Sequence, residues 1–427
     1  MVNNINFKKI NYIILKNIII FSINIIFFII LIFTLYKNIM FKTIIFEKKI
    51  LIISLLFFYY TNFLINYEYN ITEYVLYIFL LIGSIIIILN NDLFIIFLGL
   101  EIQNFCILIL NNINKNSIKS IESTIKFLIL SFISTITFLL GIIFFIYNGC
   151  EITNFNLFDL MYVENKKIEI GSFLIIITLC FKTTLFPFHL WAPDLYESAY
   201  LRLVAIISTL PKISVLSIFI QLDCYYIILF VAIFSMIIGV IGACNQTKIK
   251  RFIAYSGIAN MGNIILCLTL NNKYNSIVSI IYLIIYLINL NLLLIILEKL
   301  KLTLNSYIIE INSIKNNSSF LYLLFIIILF SLAGIPPLIG CIPKLYLIFF
   351  LIYENKILIF IIYLLTSLIS IWYYLRILTY MKFINKNELL NIKFLLVNKS
   401  KFDNKLIIFY LSIIILINIS PLFYIFT

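Results

Sequence analysis

The chain has 427 residues, of which 63% are hydrophobic and only 11% are charged, and its mean hydropathy is +1.14. Soluble proteins carry roughly 25% charged residues, so this composition excludes a water-soluble globular fold and requires lipid as the solvent. The net charge of +13 is explained by the positive-inside rule of membrane proteins, and we predict no nucleic-acid partner.

Apolar runs recur along the whole chain and predict an all-α membrane protein with about thirteen transmembrane helices. The run that follows the short polar N-terminus is too long for a cleavable signal, so we expect it to be the first membrane helix. In chain order the predicted spans are 11–36, 49–66, 74–90, 92–111, 124–147, 170–194, 201–221, 225–243, 251–271, 276–299, 319–353, 357–381 and 405–426.

Two of these spans are interrupted, by PFHLWAP (187–193) and by GIPPLIGCIP (334–343). Proline removes helical hydrogen bonds, and broken backbone persists in a membrane only inside protein or beside a water-filled cavity. Interruptions at corresponding positions of two halves are typical of inverted-repeat transporters. The sequence therefore predicts two inverted five-helix repeats, 74–221 and 225–381. N-terminal helices in 1–73 flank them, as do a matrix loop and a C-terminal helix in 382–427.

Lysines in the loops predict the orientation of the chain in the membrane. When the spans are counted alternately, most loop lysines fall on one side, although those at 37–49 fall on the other. The majority places the N-terminus and the Lys-rich segment 382–405 inside, and the C-terminus outside. The basic residues on the inner side are Lys8, Lys9, Lys115, Lys119, Lys248, Lys250, Arg251, Lys299, Lys301, Lys315, Lys382, Lys386, Lys393, Lys399 and Lys401.

Four charged residues lie deep within the apolar spans or beside their breaks: Glu101, Lys182, Lys212 and Lys344. A charge at membrane depth costs at least ~2.5 kcal/mol, so such residues are functional by default. The alternatives are lysines that snorkel to the surface and, for Glu101, a structural ion pair. A buried lysine releases its proton more readily, and an approaching carboxylate opposes that effect. These residues therefore predict a proton switch that needs no cofactor.

His189 is the single histidine of the chain, which excludes a bis-histidine haem protein or a haem–copper oxidase subunit. It is either a proton relay, the reading we favour, or a hydrogen-bonded residue of the helix break. The seven cysteines are scattered without a C-x-x-C pair, so neither a metal cluster nor a redox dithiol is predicted.

Six segments together resemble subunit 2 of NADH dehydrogenase, the antiporter-like family of proton-pumping membrane subunits in respiratory complex I. The resemblance covers about residues 90–381 and is most specific at the first segment named here. The segments are FKTTLFPFHLWAPDLYE (181–197), STLPKIS (208–214), NQTKIKRFIAYSGIANMG (245–262), SLAGIPPLIGCIPK (331–344), FLGLE (97–101) and ESTIKFLILSF (122–132).

The resemblance implies that Glu101 pairs with Lys182, that Lys212 is the central lysine of a hydrophilic axis, and that Lys344 faces the exit half-channel. It also implies that this chain binds no redox cofactor. NADH, FMN, the iron–sulfur clusters and ubiquinone would belong to other subunits of the complex. The implied partners are neighbouring antiporter-like subunits and lipids. The sequence departs from the family pattern at YESAY (196–200), where the family usually has YEGAP, and at Asn260, where it often has histidine.

Two other functions remain open at this point. A cation/proton antiporter subunit shares the antiporter-like fold, and a non-transporting scaffold would have a similar composition, although the intramembrane charges argue against it. The preference for residues with A/T-rich codons indicates an organelle or a reduced bacterium. We expect the inner membrane of a protist mitochondrion, with the N-terminus in the matrix and the C-terminus in the intermembrane space. A plastid is the alternative.

Overall fold

The computed structural model describes the central part of the chain and a short N-terminal piece. The described residues are 48, 50–56, 71–113, 118–147, 166–222, 225–270, 275–299, 308 and 319–383. The predicted spans 11–36 and 405–426, the flanking region 1–73 apart from residues 48, 50–56 and 71–73, and the Lys-rich segment after residue 383 lie outside them.

From residue 71 onward the described chain is organised as helices α1–α12, joined by turns and by the gaps between the described ranges. The helices are α1 Ile71–Leu89, α2 Leu93–Asn112, α3 Ile118–Tyr147, α4 Lys166–Lys182, α5 Trp191–Ser198, α6 Leu201–Phe219, α7 Tyr225–Cys244, α8 Ile249–Leu268, α9 Asn275–Lys299, α10 Ser319–Ala333, α11 Cys341–Tyr353 and α12 Ile357–Phe383.

The lengths and composition of these helices confirm a multi-pass membrane protein. In the described ranges, eight helices are long and apolar enough to cross a membrane: α1, α2, α3, α6, α7, α8, α9 and α12. Apolar α10 and α11 are shorter because they are the two halves of one predicted span. Most helix ends agree with the predicted spans to within a few residues. The largest difference is α3, which begins at Ile118 rather than at residue 124.

The first predicted interruption is a break between α4 and α5. Helix α4 ends at Lys182, and Leu185 N–H donates to the Cys180 carbonyl (2.8 Å) while Thr184 N–H donates to the Phe181 carbonyl (3.2 Å). This pair of bonds is a Schellman motif, which needs a left-handed residue at the helix end. Thr184 occupies that position with φ 61°. A β-branched residue is a rare outlier in this region, so the backbone is strained here.

The second break, between α10 and α11, ends its first half-helix in the same way. Ile335 N–H donates to the Phe330 carbonyl and Gly334 N–H to the Ser331 carbonyl, both at 3.1 Å. Gly334 holds the left-handed position with φ 81°, at no steric cost. The two left-handed residues are 150 positions apart, as are the starts of α5 and α11. Cis peptide bonds precede Pro187 and Pro337.

The packing of the helices places α6, α8 and α9 at the centre of the chain and α1, α3 and α12 at its periphery. Among α1–α6 the contacting pairs include α1–α2, α2–α3, α3–α4, α3–α5, α1–α6 and α4–α6. Each of these pairs has a counterpart six helices later, namely α7–α8, α8–α9, α9–α10, α9–α11, α7–α12 and α10–α12. The two groups meet mainly through α5 against α8 and α6 against α9.

Candidate proton-translocation site

Lys182, the last residue of α4, is buried at the first break. Its ammonium donates to the Leu100 carbonyl (3.0 Å) and to Asn104 Oδ1, both on α2. Trp191, at the start of α5, donates its indole N–H to the Phe181 carbonyl (3.1 Å) and packs its ring against that of Phe127 with centroids 4.9 Å apart. The break therefore points the lysine at α2, while the opposite side of the helix end is closed by aromatic rings.

Glu101 lies on the same helix as Asn104 and is half-buried. Asn104 Nδ2 donates to Glu101 Oε1 (3.4 Å) while Asn104 Oδ1 accepts from Lys182. The two charged groups are not in direct ion-pair contact, although they attract each other electrostatically. The pair predicted from the sequence is therefore bridged by one amide. Sequence analysis did not name this bridging amide. The signal that could have identified it is the i, i+3 spacing of Glu101 and Asn104, which puts both on one helix face.

Lys212 lies on α6 directly after Pro211 and is only 2% exposed. Helix α6 is tied to α2 by Gln103, whose Nε2 donates to Ser214 Oγ (3.1 Å). Neighbouring residues of α2 thus contact the two lysine-bearing helices, Asn104 reaching α4 and Gln103 reaching α6. Proline at an interior helix position leaves the carbonyl four residues earlier without its helical donor, so α6 is locally polar where Lys212 begins its side chain.

Lys344 lies in the first turn of α11 and reaches back across the second break. Its ammonium donates to the Leu332 carbonyl (3.1 Å) and the Ala333 carbonyl (2.7 Å). These carbonyls belong to the end of α10, where a helix leaves acceptors unpaired and its dipole favours a positive charge. The stem of Lys344 runs beside Gly334, where an added Cβ would lie 2.5 Å from Lys344 Cδ. Lys344 therefore links the start of α11 to the end of α10 across the second break.

His189 lies within the first break, between α4 and α5, and is 6% exposed. Its ring interacts with the Pro187 backbone inside the break and lies 6.4 Å from the ring of Phe186. Among the described residues, no hydrogen bond joins it to Lys182 or Lys212. Its relay role stays a prediction.

An ion cluster, defined here as Lys119, Lys126, Asp194, Glu197, Lys248 and Arg251, joins α3, α5 and the start of α8. The Glu197 side chain is 6% exposed and pairs with Lys119 (3.0 Å), Lys248 and Arg251. Asp194 pairs with Lys126 and Arg251, both at 2.9 Å. Sequence reasoning treated Lys119, Lys248 and Arg251 only as loop charges and did not single out Lys126. They are counter-ions that tie the second half of the broken helix to its neighbours.

Replacing Glu197 with Gln should destabilise the chain by about 1–3 kcal/mol, because three cations then converge on a neutral, buried group. The measurement is the thermal denaturation midpoint of the purified protein in detergent, which should fall. The matched control is Glu122→Gln, since Glu122 is 61% exposed and pairs with Lys126 one helical turn away. An exposed pair of this kind contributes little to stability, because water screens the charges. Equal midpoints for the two variants would contradict the role of the cluster.

No group of three or more His, Cys, Asp or Glu side chains that could hold a metal ion occurs in the described ranges. The described cysteines, Cys106, Cys180, Cys244, Cys267 and Cys341, are free thiols. The ammonium, carboxylate and amide groups of the lysine-centred site can bind and release protons and form hydrogen bonds.

Comparison with known proteins shows the family of the chain. Residues 90–370 match the family described as NADH:quinone oxidoreductase/Mrp antiporter, transmembrane. The chain is 33% identical over 343 residues to NADH-quinone oxidoreductase subunit N of Pelagibacter ubique, covering 77% of this chain and 72% of that protein. It is 30% identical over 316 residues to NADH-ubiquinone oxidoreductase chain 2 of Metridium senile, covering 71% and 81%.

Solved structures share the fold. A chain of respiratory complex I from Thermus thermophilus superposes with a TM-score of 0.68 at 19% identity, covering 86% of this chain and 87% of that one. A chain of the Mrp complex from Dietzia sp. gives a TM-score of 0.71 at 18% identity, covering 78% and 65%. The chain therefore belongs to the NADH:quinone oxidoreductase/Mrp antiporter transmembrane family, among its subunit N and chain 2 members.

Proposed function

We propose that this chain is the proton-translocating membrane subunit of an NADH:quinone oxidoreductase and couples quinone reduction elsewhere in the complex to proton transport. The observation that carries the proposal is that three of the four buried lysines in the described ranges, Lys182, Lys212 and Lys344, lie within a span or at a break on separate membrane helices. The fourth, Lys250 in the first turn of α8, donates to the Ala199 carbonyl. A purely structural role does not explain three buried ammonium groups, since charges at membrane depth are costly and mark ion or proton pathways.

The environments of the lysines support a switch in which the proton affinity of Lys182 changes with its surroundings. Lys182 is held by one amide and one carbonyl, and the carboxylate of Glu101 acts on it through Asn104 rather than by contact. A small movement of α2 would bring the carboxylate closer or take it away. Because an opposite charge favours the protonated lysine and burial favours the neutral one, such a movement would load or release a proton.

The predicted repeats, 74–221 and 225–381, are part of the proposal. The matching contact pattern of α1–α6 and α7–α12, and the shared Schellman ends at Thr184 and Gly334, support them. Each repeat would contain five spans if α4 with α5, and α10 with α11, count as one each. An odd number of spans reverses the direction of the second repeat in the membrane. The repeats would therefore be inverted, with their broken helices on either side of the centre.

We propose no redox cofactor on this chain. NADH, FMN, the iron–sulfur clusters and ubiquinone would be bound by other subunits, and the neighbours in the membrane would be other antiporter-like subunits and lipids. Co-purification in mild detergent tests this: flavin and iron–sulfur subunits should accompany the chain. Their absence, together with Na⁺/H⁺ exchange by the isolated complex, would favour the alternative, a cation/proton antiporter subunit. That alternative is supported by the fold likeness to the Mrp chain.

The orientation can be tested with two exposed positions at opposite helix ends. Counting the spans alternately assigned Lys119, Lys248 and Arg251 to the same side of the membrane. Their contacts within one ion cluster support that assignment. We expect Ile118→Cys, at an 85% exposed position, to react with a membrane-impermeant maleimide from the matrix side of the inner mitochondrial membrane. Asn91→Cys, between α1 and α2, should react from the other side. The parent chain reports the background of native thiols, and the reverse labelling pattern would invert the topology.

A further inference from the structure

The hydroxyl of Tyr286 is a buried polar group without a hydrogen-bond partner. Tyr286 lies on α9, is 3% exposed, and its Oη has no partner among the described residues. Its electrostatic neighbours are the phenol groups of Tyr196, Tyr282 and Tyr374. Buried hydroxyls are nearly always paired with protein or with ordered water, so an unpaired one calls for a physical explanation.

Gly257 on α8 connects this hydroxyl to Lys212. A Cβ built on Gly257 would lie 2.9 Å from Tyr286 Oη and 3.4 Å from Lys212 Nζ, and within 4 Å it meets only these two atoms outside its own helix backbone. A side chain at position 257 would therefore press on the Tyr286 hydroxyl and touch the Lys212 ammonium, and we name the glycine-lined space between these two groups the Gly257 gap. Helices α6, α8 and α9 each contribute one of its three residues.

Lys212 has an unused capacity to donate at the same gap. An ammonium carries three donors, yet Lys212 makes no hydrogen bond to a protein group in the described part of the chain. Its Nζ lies 5.7 Å from the centroid of the Tyr286 ring, near the outer limit of a cation–π contact. The ring therefore sits beside the ammonium without satisfying its donors.

We propose that Tyr286 is a proton-relay residue for Lys212, with a water molecule in the Gly257 gap joining the hydroxyl to the ammonium. This inference rests on the proposed function and adds the next group that exchanges a proton with Lys212. A phenol can both accept and donate a hydrogen bond. The Tyr286 hydroxyl accepts a proton from the bridging water as that water takes one from Lys212, and it gives its own O–H proton to a second water molecule, so the phenol is neutral before and after the transfer.

Two substitutions remove the relay in different ways. Tyr286→Phe removes the hydroxyl and keeps the ring beside Lys212, whereas Gly257→Ala keeps the hydroxyl and fills the gap with a methyl group. Each should lower the initial rate of NADH-driven proton uptake by about a hundredfold, the lower end of what a positioned proton-transfer group contributes. The subunit content of the complex should stay unchanged. The assay uses the whole complex reconstituted in vesicles, with NADH oxidation followed in parallel.

Gly257→Ser separates relay chemistry from steric effects. Serine fills nearly the same volume as alanine but places a hydroxyl between Tyr286 and Lys212, so it should retain several-fold more proton uptake than Gly257→Ala. Tyr77→Phe is the control for loss of a buried membrane tyrosine hydroxyl, because Tyr77 on α1 is paired with Tyr200 (3.3 Å) away from the gap. It should behave like the parent protein.

Normal proton uptake by Tyr286→Phe, or equal rates for Gly257→Ala and Gly257→Ser, would overturn the relay. Lys212→Met keeps this outcome distinct from failure of the proposed function. If Lys212→Met abolishes proton uptake while Tyr286→Phe leaves it normal, only the relay is refuted. If both variants pump normally, Lys212 is not on the proton path, and the proposed function loses its central residue.

Discussion

Lys182→Met is expected to abolish most proton translocation while the subunit still assembles. Methionine has nearly the length of lysine and no charge, so the side chain fits the buried position at the end of α4. The change leaves Asn104 Oδ1 and the Leu100 carbonyl without their shared donor. Leaving such groups unpaired costs about 1–3 kcal/mol, but the variant no longer buries an ammonium group, which offsets part of that cost. Proton transport, in contrast, loses the titrating group itself.

Lys182→Arg separates loss of charge from loss of proton release. The guanidinium keeps the positive charge beside Asn104 but cannot be deprotonated in a protein. Proton uptake should therefore fail in this variant as well. For Lys182→Met and Lys182→Arg, proton uptake and NADH oxidation are measured in the same reconstituted vesicles. Lys126→Met is the control, since Lys126 is 47% exposed and belongs to the ion cluster rather than to the buried site. Normal pumping by both Lys182 variants would show that this residue is not on the proton path, and it would favour a non-transporting scaffold.

The helix positions could be predicted from the sequence because the bilayer sets the length of an apolar span. The breaks could be predicted because proline and glycine cluster only there within the apolar spans. The start of α3 was missed for a physical reason. Its first turn holds Lys119 and Ser120, polar residues that reach the ion cluster and helix contacts instead of lipid. A hydropathy window therefore assigns such a turn to a loop.

The side-chain contacts of the site were less accessible to sequence reasoning. Lys182 and Glu101 could be named because a charge is conspicuous in an apolar run. Asn104 could be found only by its spacing from Glu101, and its place between the two charges depends on how α2 and α4 pack. Tyr286 and Gly257 gave no signal, since a tyrosine in an apolar helix and a glycine in a crowded one usually serve packing.

The second break also departs from the symmetry of the two repeats. Gly340, just before α11, corresponds by position to Leu190, just before α5. Leu190 is 66% exposed, whereas Gly340 faces the end of α10 at very short range. A Cβ at position 340 would lie 1.8 Å from the Ser331 carbonyl oxygen and 2.7 Å from the Ser331 carbonyl carbon. Gly340 has φ −65°, so the requirement for glycine is steric and not conformational.

Gly340→Ala should therefore prevent the start of α11 from packing against the end of α10. The methyl group would collide with backbone that the Schellman bond from Gly334 N–H already holds in place. Either α10 or α11 has to move, and Lys344 would lose its two carbonyl acceptors at the end of α10. Overpacking a core costs about 1–3 kcal/mol when side chains can adjust, and a collision with fixed backbone costs more. We expect the variant subunit to be largely missing from the assembled complex, as quantified by mass spectrometry.

Gly171→Ala is the matched control for this substitution. A Cβ at Gly171, on α4, would meet its nearest neighbours at 3.2 Å, a contact that a few tenths of an ångström can relieve. Alanine also favours the helix over glycine by about 1 kcal/mol, which offsets the crowding. The control should assemble to the level of the parent protein. A Gly340→Ala subunit that assembles equally well and keeps its proton transport would show that α10 and α11 do not need to approach this closely. The contact between Lys344 and the end of α10 would then not be required for the function proposed here.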